Sequence, residues 1–117
     1  MDIDSSLTGT PTKDYCTTVN WRLTMNYAAA INDANEAYLN DEREDGIIAH
    51  PMYAAALTWP VSGSIAEYID TSKFPVDIIS RQVHFTEHIE FHKPVRPGDN
   101  LTIKGYIASI APHRAGT

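Results

Sequence analysis

Proton transfer at an organic substrate needs a carboxylate, an imidazole or a phenol held near one another, and three such groups stand out here: Asp33, Tyr38 and His50. His50 opens the stretch Gly46-Ile-Ile-Ala-His-Pro-Met-Tyr-Ala-Ala-Ala-Leu57, in which a glycine turn and an apolar run lead into an alanine-rich segment of high helix propensity. Pro51 suits a first helical position, where its missing N–H costs nothing, and this makes His50 the expected N-cap. Free N–H groups at such a helix start can hold a negative oxygen, as acyl chemistry requires. The small side chains of Ala54, Ala55 and Ala56 would let a sheet approach closely. The same stretch also suits an ordinary core helix with a proline start.

Other reactive residues carry less. His84, His88 and His92 recur every fourth position, but the residues between them favour a strand, on which neighbours four apart lie about 13 Å from one another. Ligands of one zinc ion all lie within about 2 Å of it, so no metal site is expected. Cys16 is the sole cysteine and has no activating context, which leaves it a small structural side chain. The chain contains neither a glycine-rich phosphate loop nor a Gly-x-Ser-x-Gly elbow.

With 117 residues there is room for one core, not two. The 43% apolar and 21% charged content is that of a globular domain, and no apolar run approaches a membrane span. A net charge of −6 without a lysine and arginine cluster argues against nucleic acid as a partner. Residues 1–13 lack the apolar core of a signal peptide and the lone cysteine has no intrachain partner, so a cytoplasmic location is expected, with no membrane association. The acidic block Asp41-Glu-Arg-Glu-Asp45 reads as a solvated loop, able to flank a cleft.

Around the reactive residues, the expected order of elements is as follows. Residues 1–13 form a flexible tail, and 14–117 form the domain. Tyr15, Thr17, Val19 and Trp21 alternate as a short strand, after which Thr24 caps a helix ending near Asn32-Asp33. Asn35 or Asp33 caps a turn through Glu36 to Leu39, and 40–46 is an exposed loop. The helix from Pro51 is expected to kink or break at Pro60 and Ser62-Gly-Ser64, with Ser64 capping a further segment at 65–69 and a connector over 70–75. Alternation of Val83, Phe85, Ile89 and Phe91 predicts a long strand over 81–92. The turn signal Lys93-Pro-Val-Arg-Pro-Gly-Asp99 then returns an antiparallel partner from Leu101 to Ala108.

Three stretches together carry a resemblance: Tyr27-Ala-Ala-Ala-Ile-Asn-Asp-Ala-Asn-Glu-Ala-Tyr-Leu-Asn-Asp41, Gly46-Ile-Ile-Ala-His-Pro-Met-Tyr53 and Phe91-His-Lys-Pro-Val-Arg-Pro-Gly-Asp99. In order and spacing they resemble the MaoC-like acyl dehydratases, and most closely the N-terminal, fatty-acid-synthase-type dehydratase subgroup. The likeness covers roughly residues 24 to 117. It implies an α+β hot-dog fold, with the central helix wrapped by an antiparallel sheet. Sheets of this family continue with further strands, so Ala115-Gly-Thr117 reads as the start of another one, and a domain incomplete at its C-terminal end is expected.

The resemblance implies (R)-specific hydration of 2-enoyl thioesters, or dehydration of 3-hydroxyacyl thioesters, on coenzyme A or acyl carrier protein and without a bound cofactor. Active members carry Gly-Asp-x-Asn-Pro-x-His. Here Asp33 and Asn35 match, while Asn32 stands at the Gly, Glu36 at the Pro and Tyr38 at the catalytic His. Active members also use a glycine N–H after the helix-start histidine to hold the thioester oxygen. Pro51 replaces that glycine, which moves the contact to the amides of Met52 or Tyr53. The implied site is therefore Asp33, Tyr38 and His50 for catalysis, with Asn35, Met52 and Tyr53 binding substrate, although Asp33 equally suits a capping role. The alternative function is a non-catalytic acyl-binding subunit paired with a catalytic MaoC-like subunit, and a thioesterase is a distant third. A homodimer, or a heterodimer with another hot-dog subunit, is expected because a narrow sheet leaves open edges.

Overall fold

Asn20 decides where the first helix begins. In the computed structural model, which describes residues 3–73 and 76–114, Asn20 is extended and its side-chain oxygen accepts from the N–H groups of Arg22 and Leu23 at 2.9 and 3.1 Å. This makes Trp21–Ala30 the helix α1, preceded by the strand β1 at Tyr15–Thr18. Thr24, the expected cap, lies one turn inside the helix, is 1% exposed and donates its hydroxyl to the Trp21 carbonyl. The alternation that runs on to Trp21 hides the boundary, because an asparagine cap diverts the backbone whatever the following side chain.

The remaining elements are α2 at Glu36–Leu39, α3 at Tyr53–Ser62, α4 at Ile65–Tyr68, α5 at Val76–Ile79 and β2 at Asn100–Ile103. Short 3₁₀ turns lie at Ser5–Leu7 and Thr71–Lys73. The class is α+β, in keeping with a hot-dog dehydratase domain. By its internal contacts the chain groups into two units: Met1–Tyr15, Trp59–Glu87 and Ile103–Thr117 form one, Cys16–Thr58 and His88–Thr102 the other.

The second unit holds the reactive residues. Its α1 closes with a Schellman motif, in which the Asn32 N–H bonds the Ala29 carbonyl at 3.0 Å and the Asp33 N–H bonds that of Ala28 at 2.9 Å. Asn32 takes a φ of 59°, a left-handed conformation that asparagine tolerates better than most residues. Asn35 caps α2 as expected, accepting from the Ala37 N–H, and α2 packs against α1. Gly46, at φ 69°, turns the chain into a run that buries Ile47 and Ala49, with the Ala49 N–H bonded to the Val95 carbonyl. The core here is Val19, Ala49 and Tyr53, against which Tyr27, Leu57, Val95 and Leu101 pack. Arg96-Pro97-Gly98-Asp99 is the expected turn, with Gly98 at φ 90° and the Asp99 N–H bonded to the Arg96 carbonyl. Val19 bonds to both Gly98 and Asp99 through its backbone, which sets β1 beside β2 as an antiparallel pair, with Thr18 bonded to Asn100 and Cys16 facing Thr102.

The helix α3 begins at Tyr53 and not at Pro51, because 50–52 is a turn whose carbonyls already accept from the N–H groups at 53 to 55. Nor does Pro60 break it. A proline in the last turn removes one hydrogen bond with little helix left to disrupt, and α3 runs on to Ser62. It stops at Gly63, where an added Cβ would meet the Trp59 ring at 2.8 Å.

In the first unit, the stretch expected to be a loose tail is paired. Asp4 caps the 3₁₀ turn that buries Leu7, and the N–H groups of Gly9 and Thr12 bond the carbonyls of Ile107 and Gly105 at 2.7 and 2.8 Å. Pro11 forms an antiparallel bridge with Tyr106. Backbone pairing needs only a partner strand, not apolar periodicity, so composition gave no sign of it.

The expected long strands over 81–92 and 101–108 are corrected by the same pairing. The backbone of 100–107 is taken up by 9–18, and 81–92 forms no strand among the described residues. Val83 and Phe85 are 81% and 89% exposed, as follows when an alternating segment has no neighbour to cover its apolar face. Ser64 precedes α4 as expected but makes no side-chain cap bond, and α5 falls in a region read only as following the connector. The expected further strand at 115–117 lies outside the described residues. Among the described residues no helix is long and apolar enough to cross a membrane.

Two outcomes follow. Asn20→Ala should cost about 1 kcal/mol, read as a lower urea midpoint at unchanged slope; an unaffected midpoint would return the cap to Thr24. In hydrogen exchange, the Thr12 and Ile107 amides should be protected and those of Val83 and Phe85 should exchange freely, a pattern that the 81–92 strand would reverse.

Candidate active site

The Schellman turn at the end of α1 and the cap of α2 together place the Asp33 carboxylate. Its Oδ1 accepts from the Asn35 N–H at 3.1 Å, and its Oδ2 lies 3.1 Å from His50 Nε2. The other ring nitrogen of His50, Nδ1, accepts from the Met52 N–H at 3.1 Å. In the neutral ring the proton therefore sits on Nε2 and is donated to Asp33. The two side chains are 36% and 16% exposed, so their attraction contributes at most about 1 kcal/mol, and its role is geometric.

Tyr38, carried on α2, stacks at a tilt beside His50 with ring centroids 5.0 Å apart. Its hydroxyl makes no hydrogen bond among the described residues. The structure thus brings Asp33, Tyr38 and His50 together. Tyr27 also lies near the imidazole, with ring centroids 6.2 Å apart; its hydroxyl donates to the Met52 carbonyl and its ring meets that of Tyr53 edge-on at 5.4 Å. Tyr27 is not among the residues that the sequence points to as a site. The available sign is a tyrosine just before Ala28-Ala-Ala30 in α1, an aromatic with a polar tip that needs both a packing surface and a partner for its hydroxyl.

The expected substrate-binding residues fare differently. Asn35 uses its side-chain oxygen to cap α2. The Met52 N–H is held by His50 Nδ1, and the Tyr53 N–H by the His50 carbonyl at 2.8 Å. The next two amides, at Ala54 and Ala55, bond the carbonyls of Pro51 and Met52. The thioester oxygen expected at the Met52 or Tyr53 amide finds both engaged, because the tight turn at 50–52 supplies acceptors that an open helix start lacks. The Tyr53 side chain is a core residue, 8% exposed.

His50 also forms part of the wall of a cavity of about 350 Å³. Ile48, Ala49, Pro51, Ala54, Phe91 and Val95 give it a mostly apolar lining, with His92 and Lys93 as its other ionisable residues. The volume is within the range of small-molecule sites. A separate, more open hollow is lined by Trp21, Asp41, Asp45 and Arg96, so the acidic block does flank a cleft.

The sequence profile described as FAS1-like, dehydratase domain region, matches residues 6–117. The chain belongs to this dehydratase-region family. Its curated relatives include a UPF0336 protein of Streptomyces coelicolor, 31% identical over 94% of this chain and 75% of that protein. A UPF0336 protein of Streptomyces avermitilis is 30% identical with the same coverage of both chains. The match takes in Asp33, Tyr38, His50 and every lining residue of the His50 cavity, so the cluster lies inside the dehydratase-type region.

Tyr38→Phe keeps the ring and removes an unbonded hydroxyl, so stability should stay within about 0.5 kcal/mol of wild type. His50→Ala removes the bonds to both Asp33 and Met52 and should cost about 1–2 kcal/mol in urea unfolding; equal stabilities for the two variants would contradict this geometry.

Proposed function

We propose that this protein binds acyl thioesters in the cavity beside His50 and interconverts 2-enoyl and 3-hydroxyacyl forms by adding or removing water. The observation that carries this reading is the Asp33–His50 contact at 3.1 Å, one partner of which walls a mostly apolar cavity in a dehydratase-family chain. Hydration adds hydroxide to the β-carbon and a proton to the α-carbon, so the site must accept one proton from water and deliver one to carbon. Asp33 is a competent acceptor. Tyr38 brings an unbonded hydroxyl to the same cluster, though an ordinary phenol is a weak base near neutral pH. The apolar lining suits an acyl tail, carried on coenzyme A or on a carrier protein, with no bound cofactor required.

In this reading α3 is the central helix of the hot-dog fold. A second subunit, either a copy of this chain or another hot-dog protein, would supply cover for open strand edges and for exposed side chains such as Val83 and Phe85. One observation favours the alternative of a non-catalytic acyl-binding subunit: the first amides of α3 are all bonded within the protein, leaving no helix-start donor for the thioester oxygen.

The test uses the purified protein with a 2-enoyl-coenzyme A, following binding by calorimetry and hydration by loss of enoyl absorbance. Binding with slow hydration is expected, and Asp33→Asn should abolish turnover while leaving affinity within threefold. Robust hydration undiminished in Asp33→Asn would place the chemistry elsewhere. Binding with no turnover, restored on adding a hot-dog protein with the intact motif, would establish the partner-subunit role.

A further inference from the structure

Both nitrogens of His50 are committed. Nδ1 accepts from the Met52 amide, and Nε2 faces Asp33 Oδ2, each at 3.1 Å. The amide is a donor that cannot become an acceptor, so it selects the ring form with a bare Nδ1 and a proton on Nε2. Rotating the ring by half a turn would place carbons against both partners and lose both bonds. The rings of Tyr38 and Tyr27 lie 5.0 and 6.2 Å from the imidazole, and the side chain is only 16% exposed. A general base needs a bare nitrogen turned toward substrate. The bare nitrogen of His50 is turned toward its own backbone instead.

We propose that His50 is a positioning residue, a fixed Nε2–H donor that orients the Asp33 carboxylate for substrate and does not itself take up the transferred proton. This rests on the acyl-thioester reading for its catalytic consequence, while the fixed tautomer stands on geometry alone. The carboxylate is held at both oxygens, Oδ1 by the Asn35 N–H and Oδ2 by His50. Each carboxylate oxygen has two lone-pair sites, so each keeps one for a water or a substrate hydroxyl. The motif thereby divides its labour anew: where Gly-Asp-x-Asn-Pro-x-His has an imidazole, this chain has Tyr38, and the imidazole of His50 serves the aspartate.

Two readouts test this. In ¹⁵N-labelled protein, long-range proton–nitrogen correlation should show His50 as a single neutral form with Nε2 protonated and Nδ1 bare, assigned by its disappearance in His50→Gln. The same form should persist in Asp33→Ala, because Met52 and not Asp33 selects it. A proton on Nδ1, or averaging between tautomers, overturns the proposal whether or not the protein turns over substrate. In hydration assays, His50→Gln returns an N–H donor without an exchangeable base and should lower kcat by less than tenfold, against more than a hundredfold for His50→Ala, with little change in KM. Equal losses in the two variants would make His50 a proton carrier. Absence of turnover in every form, with the tautomer as described, would refute the hydratase reading and leave the positioning geometry intact.

Discussion

Asp33 reaches its place from a helix that has just ended, and His50 from one that has not yet begun; a single imidazole joins the two. Its bond to Asp33 ties the end of α1 to the turn before α3, and its bond to the Met52 amide fixes that turn from within. Tyr27 reinforces the tie by bonding the Met52 carbonyl and resting against Tyr53, one of the three buried residues at the centre of this unit. Each hydrogen bond contributes only about 1 kcal/mol. Their common effect is to let two side chains, His50 and Tyr27, hold the end of α1 against the turn before α3, with His50 touching both the carboxylate and the cavity.

The four departures from the dehydratase motif are not equivalent in physical terms. Asn32 stands where the motif has glycine, and its φ of 59° is the reason the exchange is tolerated, since glycine and asparagine are the residues that adopt it readily. Glu36 stands at the motif's proline and is the first residue of α2, where proline fits because its N–H is not needed and glutamate fits because it faces the positive end of the helix. Both residues suit the backbone that this chain adopts at 32 and 36. On the resemblance, Tyr38 and Pro51 would change chemistry: a phenol stands where the motif has an imidazole, and a residue without an N–H stands where the motif implies an oxyanion donor.

Local signals were legible in the sequence where the physics is local. The end of α1 near Asn32, the Asn35 cap and the turn ending at Asp99 are each set by residues within a few positions of one another. The convergence of Asp33, Tyr38 and His50 was legible through family likeness and not through spacing, which cannot say that a loop at 33 meets a turn at 50. What stayed hidden was partnership. Alternation over 101–107 correctly marks an extended segment, but nothing in it distinguishes a neighbour at 81–92 from one at 9–18. The engaged amides of Met52 and Tyr53 were hidden for a related reason, since one extra turn before a helix converts its free donors into bonded ones.

The pairing of β1 with β2 sets the order in which this chain can acquire its structure. Thr18 and Asn100 are bonded across a separation of 82 residues, and Thr12 and Gly105 across 93. During synthesis at about 5–20 residues per second, the first strand therefore waits roughly 4–16 s for its partner to be made. Helix α1, with its cap and its closing motif supplied locally, has no such delay. A ribosome-bound chain stalled before Asn100 would thus carry helices but an unsatisfied N-terminal strand, the state in which occupancy by a holding chaperone would be greatest.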